Sequence, residues 1–144
     1  MSGIVIQQLH KRYVLNGQKL EVLDGLSLSL EKGQVMVLLG RSGSGKTTLL
    51  RVLGGLESGD SGNVLIPSGE KICMVFQEPR LMPWLDTEQN IVFAADKEEM
   101  TAEQVSHIIS LVGLKGFERA YPRQLSMGMQ QRVSLARALA YHAD

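Results

Sequence analysis

The segment GRSGSGKT at positions 40–47 combines three glycines with a lysine and three hydroxyl residues. It fits the pattern G-x-x-x-x-G-K-[ST], in which a loop holds phosphate at the start of a helix. Gly43 and Gly45 allow backbone angles and close approaches that a Cβ would prevent. The loop amides can then converge on phosphate oxygens, while Lys46 reaches the β- and γ-phosphates and the Thr47 hydroxyl ligands Mg²⁺. The segment therefore predicts a nucleotide-binding loop rather than an ordinary Gly/Ser turn.

The sequence around this loop also suits a nucleoside triphosphate. VMVLL at 35–39 is continuously apolar and predicts a strand buried on both faces of a parallel sheet, and TTLLRVL at 47–53 predicts a helix that ends at Gly54-Gly55. The lysine of the loop argues against a dinucleotide site, and so does the lack of an acidic residue after a second strand. The expected nucleotide contacts are Gly40, Ser42, Gly43, Ser44, Gly45, Lys46, Thr47 and Thr48.

A second candidate follows the apolar run KICMVF at 71–76, which predicts another buried strand. Gln77 comes directly after this run, where its side-chain amide can ligand Mg²⁺ or orient a water molecule. The alternative is a polar residue that merely ends a strand. Phosphoryl transfer also needs a carboxylate on the metal side. No run of four apolar residues ending in Asp supplies one, because Pro83 interrupts MPWLD at 82–86 as a central strand.

The remaining patterns place these motifs on an α/β core with a helical insertion. Strands are predicted at 4–9, 26–31 and 64–66, with a hairpin turn at Lys32-Gly33. Helices are predicted between 87 and 120 and from about Met129 onward. Within the first of these regions, Thr101 begins a capping box, and an apolar stripe of Val105, Ile108, Ile109 and Val112 ends at Gly113.

The composition of the chain limits the classes of protein to which it can belong. The 144 residues carry 15 basic and 15 acidic side chains, so the balance does not suggest nucleic-acid binding. The only cysteine, Cys73, excludes an internal disulfide and is expected to be a buried thiol. His10, His107 and His142 lack metal-ligand spacing and are expected at the surface. Neither a signal peptide nor an apolar stretch of membrane-spanning length is found in the sequence.

Three segments together resemble the motifs of an ATP-binding cassette ATPase. GRSGSGKTT at 40–48, VFQEPRLMPW at 75–84 and LSMGMQQRVSLARAL at 125–139 resemble its Walker A, Q-loop and signature motifs in order and spacing. The resemblance covers the whole chain, and QEPRLMPW is most similar to the ATP-binding subunits of nitrate, sulfonate and taurine importers. It implies an α/β fold: a P-loop NTPase core with an N-terminal antiparallel β subdomain (both within 1–86) and an α-helical signature subdomain (87–144).

The resemblance also implies roles for residues outside the loop. Tyr13 matches the aromatic residue that stacks on adenine, although a lone tyrosine ending a strand is more often an edge residue. Ser126 and Gly128 would contact the γ-phosphate held by Lys46 of a second cassette paired head to tail. Met127 and Met129 depart from the usual LSGGQ pattern, and Met127 is expected to restrict the backbone there.

The implied function is that of the ATP-binding subunit of an ABC-type importer. A dimer would couple ATP and Mg²⁺ binding and hydrolysis to solute uptake through a membrane permease. Lys46 and Gln77 would be catalytic, and Thr47 and Gln77 would ligand the metal. The loop around Trp84 would receive the permease, or else would only tuck onto the core. The expected location is cytoplasmic, peripheral on the inner face of the cell membrane, without nucleic acid as a partner.

The chain departs from the family at its end, since family members continue after the signature helix into an apolar strand ending in Asp-Glu. The Mg²⁺-side aspartate, the catalytic glutamate and a histidine that senses γ-phosphate would follow Asp144. The 144-residue chain is therefore expected to be a truncated cassette of marginal stability that hydrolyses ATP weakly or not at all, with apolar surface exposed beside the phosphate-loop strand. The alternatives are a soluble cassette protein without a permease and a truncated nucleotide-binding or interaction protein without catalysis.

Overall fold

The computed structural model describes residues 3–95 and 100–141 of the chain. The described residues divide into two compact units, one within 1–70 and one within 71–144. The first unit contains the predicted phosphate loop, and the second contains Gln77 and the predicted signature segment.

The first unit is built on an antiparallel sheet of three strands: β1 (Gly3–Leu15), β2 (Gln18–Glu31) and β3 (Ser61–Leu65). β1 lies in the centre, with β2 and β3 at its edges. The turn between β1 and β2 is Asn16-Gly17, with φ of 51° and 79°. Asn-Gly with two positive φ angles is the preferred two-residue hairpin connection. The predicted strands at 4–9 and 26–31 are thus parts of one longer hairpin.

The core of this unit forms where the hairpin meets the helix that follows the loop, α1 (Lys46–Leu53). The helix ends at Gly54-Gly55 as predicted, and Gly55 adopts a φ of 68° that favours glycine. The buried core residues are Ile6, Leu9, Leu23, Leu49 and Val52. This packing anchors α1, and with it the phosphate loop, to the hairpin.

The predictions of buried strands at 35–39 and 71–76 are wrong. Within the described residues neither segment pairs in a sheet. Val35 and Leu39 are 92% and 89% exposed, and only Leu38 packs partly on the core. A run that is apolar on both faces becomes a buried strand only when neighbouring strands and covering elements are supplied. The expected exposure of apolar surface beside the loop is confirmed by these side chains.

Two smaller predictions fail for the same reason. Lys32-Gly33 forms a turn, but it leads into the unpaired segment 34–39 rather than into a second hairpin strand. Cys73 is exposed, because the segment that carries it is not enclosed within a sheet. The thiol therefore lies on the surface of its unit and not in a core.

The second unit is helical, with α2 (Thr87–Ala94), α3 (Ala102–Leu111), a short 3₁₀ turn (Pro122–Gln124) and α4 (Met127–Ala140). α3 begins with the capping box predicted at Thr101, whose hydroxyl accepts from the Gln104 amide at 3.3 Å. α2 has the same device at Asp86. α4 starts at Met127, two residues earlier than predicted.

The core of the second unit confirms the predicted apolar stripes. Val105, Ile108 and Ile109 of α3 are buried, and Val112 packs partly against the same cluster. Other buried members come from α2, α4 and the connecting turns: Ile91, Leu114, Leu125, Val133, Ala136 and Ala140. α4 therefore has a buried face from Val133 to Ala140, while the Ser126–Gly128 end stays exposed.

Candidate nucleotide site

The phosphate loop has the backbone geometry that its glycines predict. Gly43 and Gly45 have φ angles of 82° and 88°, in the left-handed region. Gly45 is also the residue that precedes α1, and a Cβ there would lie 2.7 Å from the Val22 carbonyl oxygen of β2. The close approach fixes the start of α1 against the hairpin. The amides of the first helical turn therefore open towards the loop, where an anion is favoured.

Lys46 places its ammonium group inside this loop. Its Nζ donates to the carbonyl oxygens of Gly40 at 2.7 Å and Arg41 at 2.8 Å, and to the Ser44 hydroxyl at 3.1 Å. A Cβ at Gly40 would lie 2.7 Å from that same Ser44 oxygen, so the residue must be small. One positive charge is thus concentrated where the predicted phosphates would lie, with Thr47 and its hydroxyl at the exposed start of α1.

Tyr13 belongs to the same unit as the loop and lies towards the turn end of the hairpin, opposite Leu20 of β2. Its hydroxyl donates to the Glu57 carboxylate, and Lys11 Nζ is 5.5 Å from its ring centroid. The Tyr13 bond lowers the pKa of Glu57 more than any other interaction, and the bond from Arg51 lowers it further. The ring is therefore held at its hydroxyl end and on one face.

In the second unit, Gln77 is exposed and lies in a segment that α4 holds from two points. Gln131 Nε2 donates to the Phe76 carbonyl at 3.1 Å, and Arg137 Nη1 donates to the Arg80 carbonyl at 3.0 Å. Burial lowers the pKa of Arg137. The Arg80 guanidinium lies 4.0 Å from the Phe76 ring centroid. The backbone is thus fixed both before and after Gln77.

The predicted signature segment starts α4 as a capped helix. Ser126 has extended backbone, and its hydroxyl accepts from the Met129 amide at 3.3 Å. Met127 is the first helical residue and 69% exposed, with ordinary helical geometry. The expected restriction of the backbone by Met127 stays a prediction, because residues with and without a side chain can both adopt this geometry. A Cβ added at Gly128 would have no neighbouring atom within 4 Å.

The loop before α2 is organised by a buried amide that belongs to none of the predicted motifs. Asn90 is fully buried, and its Oδ1 accepts from the Met82 amide at 2.8 Å. Its Nδ2 donates to the carbonyls of Met82, Leu85 and Asp86 at 2.9 to 3.1 Å. This leaves Trp84 at the outside of the loop, 69% exposed. The alternative expectation, that this loop packs Leu81 and Trp84 onto the core, is met by Leu81, which packs against the core cluster, but not by the exposed Trp84.

His10 departs from the expectation that no histidine has metal-ligand partners. Its ring nitrogen, a Glu21 oxygen and an Asp24 oxygen lie within 4.8 Å of one another. The spacing of these three residues along the sequence does not indicate the group, because it forms only when β1 and β2 pair in the hairpin. The Arg12 guanidinium donates to Glu21 at 3.0 Å, and the Gly25 amide donates to His10 Nδ1 at 3.2 Å. These donors already occupy His10 Nδ1 and one Glu21 oxygen. His142 lies outside the described residues.

Comparison with known proteins identifies relatives that match most of the chain. The family model described as ABC transporter matches residues 23–144. The aliphatic sulfonates import ATP-binding protein SsuB 1 of Pseudomonas syringae pv. syringae is 48% identical over 133 residues, covering 92% of this chain and 54% of that protein. SsuB of Bacillus subtilis is 44% identical over 147 residues, covering 95% and 56%. The chain therefore spans about half the length of the curated relatives it matches.

Solved structures show the same fold. A dimeric post-hydrolysis state of the ATP-binding cassette MJ0796 bound to ADP and Pi has a TM-score of 0.86 and 28% sequence identity. The match covers 97% of this chain and 70% of that one. The predicted α/β cassette fold is confirmed by this match. Over the described residues, every helix is too short or too polar to cross a membrane.

Proposed function

Because the chain belongs to the ABC transporter family, we propose that it is the ATP-binding part of an importer subunit that hydrolyses ATP to drive solute uptake. The observation that carries the proposal is the phosphate loop. Two left-handed glycines, the start of α1 and the Lys46 ammonium group are assembled there within one unit. A polyphosphate would be held there by loop amides and one cation, which is the arrangement that its charge requires.

The role proposed for each residue follows from the chemistry of its side chain. Lys46 neutralises charge on the β- and γ-phosphates, and Tyr13 supplies an aromatic face for adenine. The Thr47 hydroxyl and the Gln77 amide oxygen are hard oxygen donors of the kind that Mg²⁺ prefers. The metal would supply charge neutralisation at the phosphates when bound. Gln77 would also orient the attacking water.

The helical unit would serve two partners. Ser126 and Gly128 lie at the exposed start of α4, where amides can meet the nucleotide of a second cassette. Phe93 is 56% exposed and lines a cleft of about 340 Å³ together with Leu85 and other α2 residues, and Trp84, which directly precedes Leu85, is 69% exposed. Exposed aromatic residues are typical of a protein-binding surface, so this part of the helical unit is proposed to receive the permease. The subunit would then lie peripherally at the cytoplasmic face of the membrane.

The proposed solute class is the sulfonates. It rests on the similarity to proteins named aliphatic sulfonates import ATP-binding proteins in two bacterial groups. A growth assay in cells that carry the gene for this chain would test it. Growth on an alkanesulfonate as the only sulfur source should require this gene, and growth after its deletion would exclude this solute class.

A binding experiment tests the nucleotide site directly. Isothermal titration of the 144-residue chain with MgATP should give saturable binding that Lys46→Ala weakens at least about tenfold, because a charge-assisted contact of about 1.5–3 kcal/mol is lost. Lys19→Ala is the matched control, since Lys19 is exposed on β2. Equal affinities for the two variants would refute the proposed site.

A further inference from the structure

Glu57 joins two parts of the first unit that are far apart in sequence. One carboxylate oxygen accepts from the Tyr13 hydroxyl, and the other accepts from Arg51 Nη1 at 3.1 Å. Arg51 lies in the last turn of α1, the helix that starts at Lys46. A single carboxylate therefore ties the aromatic side chain on β1 to the helix that carries the phosphate-binding lysine.

The hairpin sets the spacing between these parts. The start of α1 is packed against β2 at Val22, whose carbonyl oxygen lies 2.7 Å from a Cβ built on Gly45. Tyr13 on β1 pairs with Leu20, which lies two residues before Val22 on β2. Two residues of strand correspond to roughly 7 Å. Tyr13 is thus placed on β1 close to the part of β2 that contacts the start of α1, as expected of a residue that meets the base of a nucleotide whose phosphates occupy the loop.

The Tyr13 ring has its orientation fixed by two contacts. The Glu57 carboxylate holds the hydroxyl end. On one face, Lys11 Nζ lies 5.5 Å from the ring centroid and is itself held by the Ser58 carbonyl at 2.8 Å. A cation at this distance is attracted to the π-face of the ring. A base that stacks on a ring already held in place avoids part of the entropy cost of immobilising it.

We propose that Glu57 is a positioning residue for nucleobase stacking: it holds the Tyr13 ring at a fixed orientation relative to α1, so that the base and the phosphates are bound in register. The inference rests on the proposed function, since it assigns a role to Tyr13 in the same site. It adds that the base end of the site depends on a carboxylate that does not touch the nucleotide. Glu57 would thus affect affinity for the base without affecting affinity for the phosphates.

The test compares ATP with inorganic tripolyphosphate as probes of the 144-residue chain. Tyr13→Phe removes only the hydroxyl, and Glu57→Gln weakens the bridge from the other side. Each should weaken ATP binding about three- to tenfold, as expected for one net hydrogen bond. Neither should change tripolyphosphate binding. The double variant should be no weaker than the stronger single variant, because both remove the same interaction.

Glu70→Gln is the matched control, since Glu70 pairs with Lys32 at 3.4 Å and takes no part in the bridge. Unfolding midpoints of all variants exclude a loss of folded protein. Additive losses, or equal losses for ATP and tripolyphosphate, would overturn the role of Glu57. ATP binding that depends on Lys46 but ignores Glu57 overturns this inference alone. Absence of Lys46-dependent binding of either probe overturns the proposed function as well.

Discussion

Asn90 is the residue whose removal should most disturb the loop that presents Trp84. In Asn90→Ala, the Met82 amide loses its acceptor and the Leu85 carbonyl loses a donor. The carbonyls of Met82 and Asp86 keep other partners, because the Leu85 and Asn90 backbone amides donate to them at 3.1 and 2.9 Å. Two backbone groups are therefore left unpaired, and not all four.

The expected cost follows from these two groups. Each unpaired buried group costs about 1–3 kcal/mol, and the higher helix propensity of alanine returns up to about 0.7 kcal/mol. The loop is only partly buried, so water can reach some of it. The free energy of unfolding of the helical unit should thus fall by about 2–4 kcal/mol. With a urea dependence of about 1–3 kcal/mol per molar, the unfolding midpoint should fall by roughly 1–4 M.

Trp84 is the only tryptophan and lies in this loop, so its fluorescence reports unfolding of the unit concerned. Urea titrations followed at Trp84 would compare Asn90→Ala with Asn63→Ala. Asn63 is exposed on β3 in the other unit. Asn63→Ala therefore makes the same chemical change at a position where no buried amide is lost. If the two variants unfold at the same urea concentration, the amide of Asn90 does not organise the loop.

Two further predictions concern contacts on α4 and on the hairpin. Gln131→Leu should speed tryptic cleavage after Arg80 several-fold, because the side-chain bond that holds this segment is lost; Gln130→Leu, which loses bonds to other carbonyls, should not. Equal cleavage rates for the two variants would contradict this reading. The Arg12 bond holds the pKa of Glu21 below its ordinary 4.5. The ion pair therefore stabilises the folded chain fully above pH 4.5, and this stabilisation is lost as the pH falls below 4.5. Circular dichroism of urea unfolding at several pH values should show a smaller loss on acidification in Glu21→Gln, and an unchanged pH dependence would count against the ion pair.

The phosphate loop and the helix caps could be predicted because their information is local. Consecutive residues at 40–47 define the loop, and Thr101 with Gln104 defines a cap within a single turn. The Asn16-Gly17 dipeptide is an equally local signal for a hairpin turn, although the strands predicted from short apolar runs do not include this turn. Local chemistry was therefore sufficient wherever the partner groups lie within a few residues.

The strands predicted at 35–39 and 71–76 show the limit of this approach. A strand exists only with a partner, and an apolar run carries no record of which segment, if any, supplies it. Long-range side-chain contacts were missed for a related reason. Glu57 meets Tyr13 across 44 residues, and Gln131 meets Phe76 across 55. A glutamate after a helix and a glutamine within one have no pattern that distinguishes them from solvated residues.

Gly128 lies in α4, and the fold does not require a glycine there, since a Cβ at this position would meet only open space. Alanine at such a position stabilises a helix by about 1 kcal/mol relative to glycine. A screen of variants that selects only for folded chain should therefore enrich alanine at position 128. A screen that selects for solute uptake by the proposed importer should retain glycine at position 128. The difference between the two enrichments would measure a constraint imposed on this residue from outside its own chain.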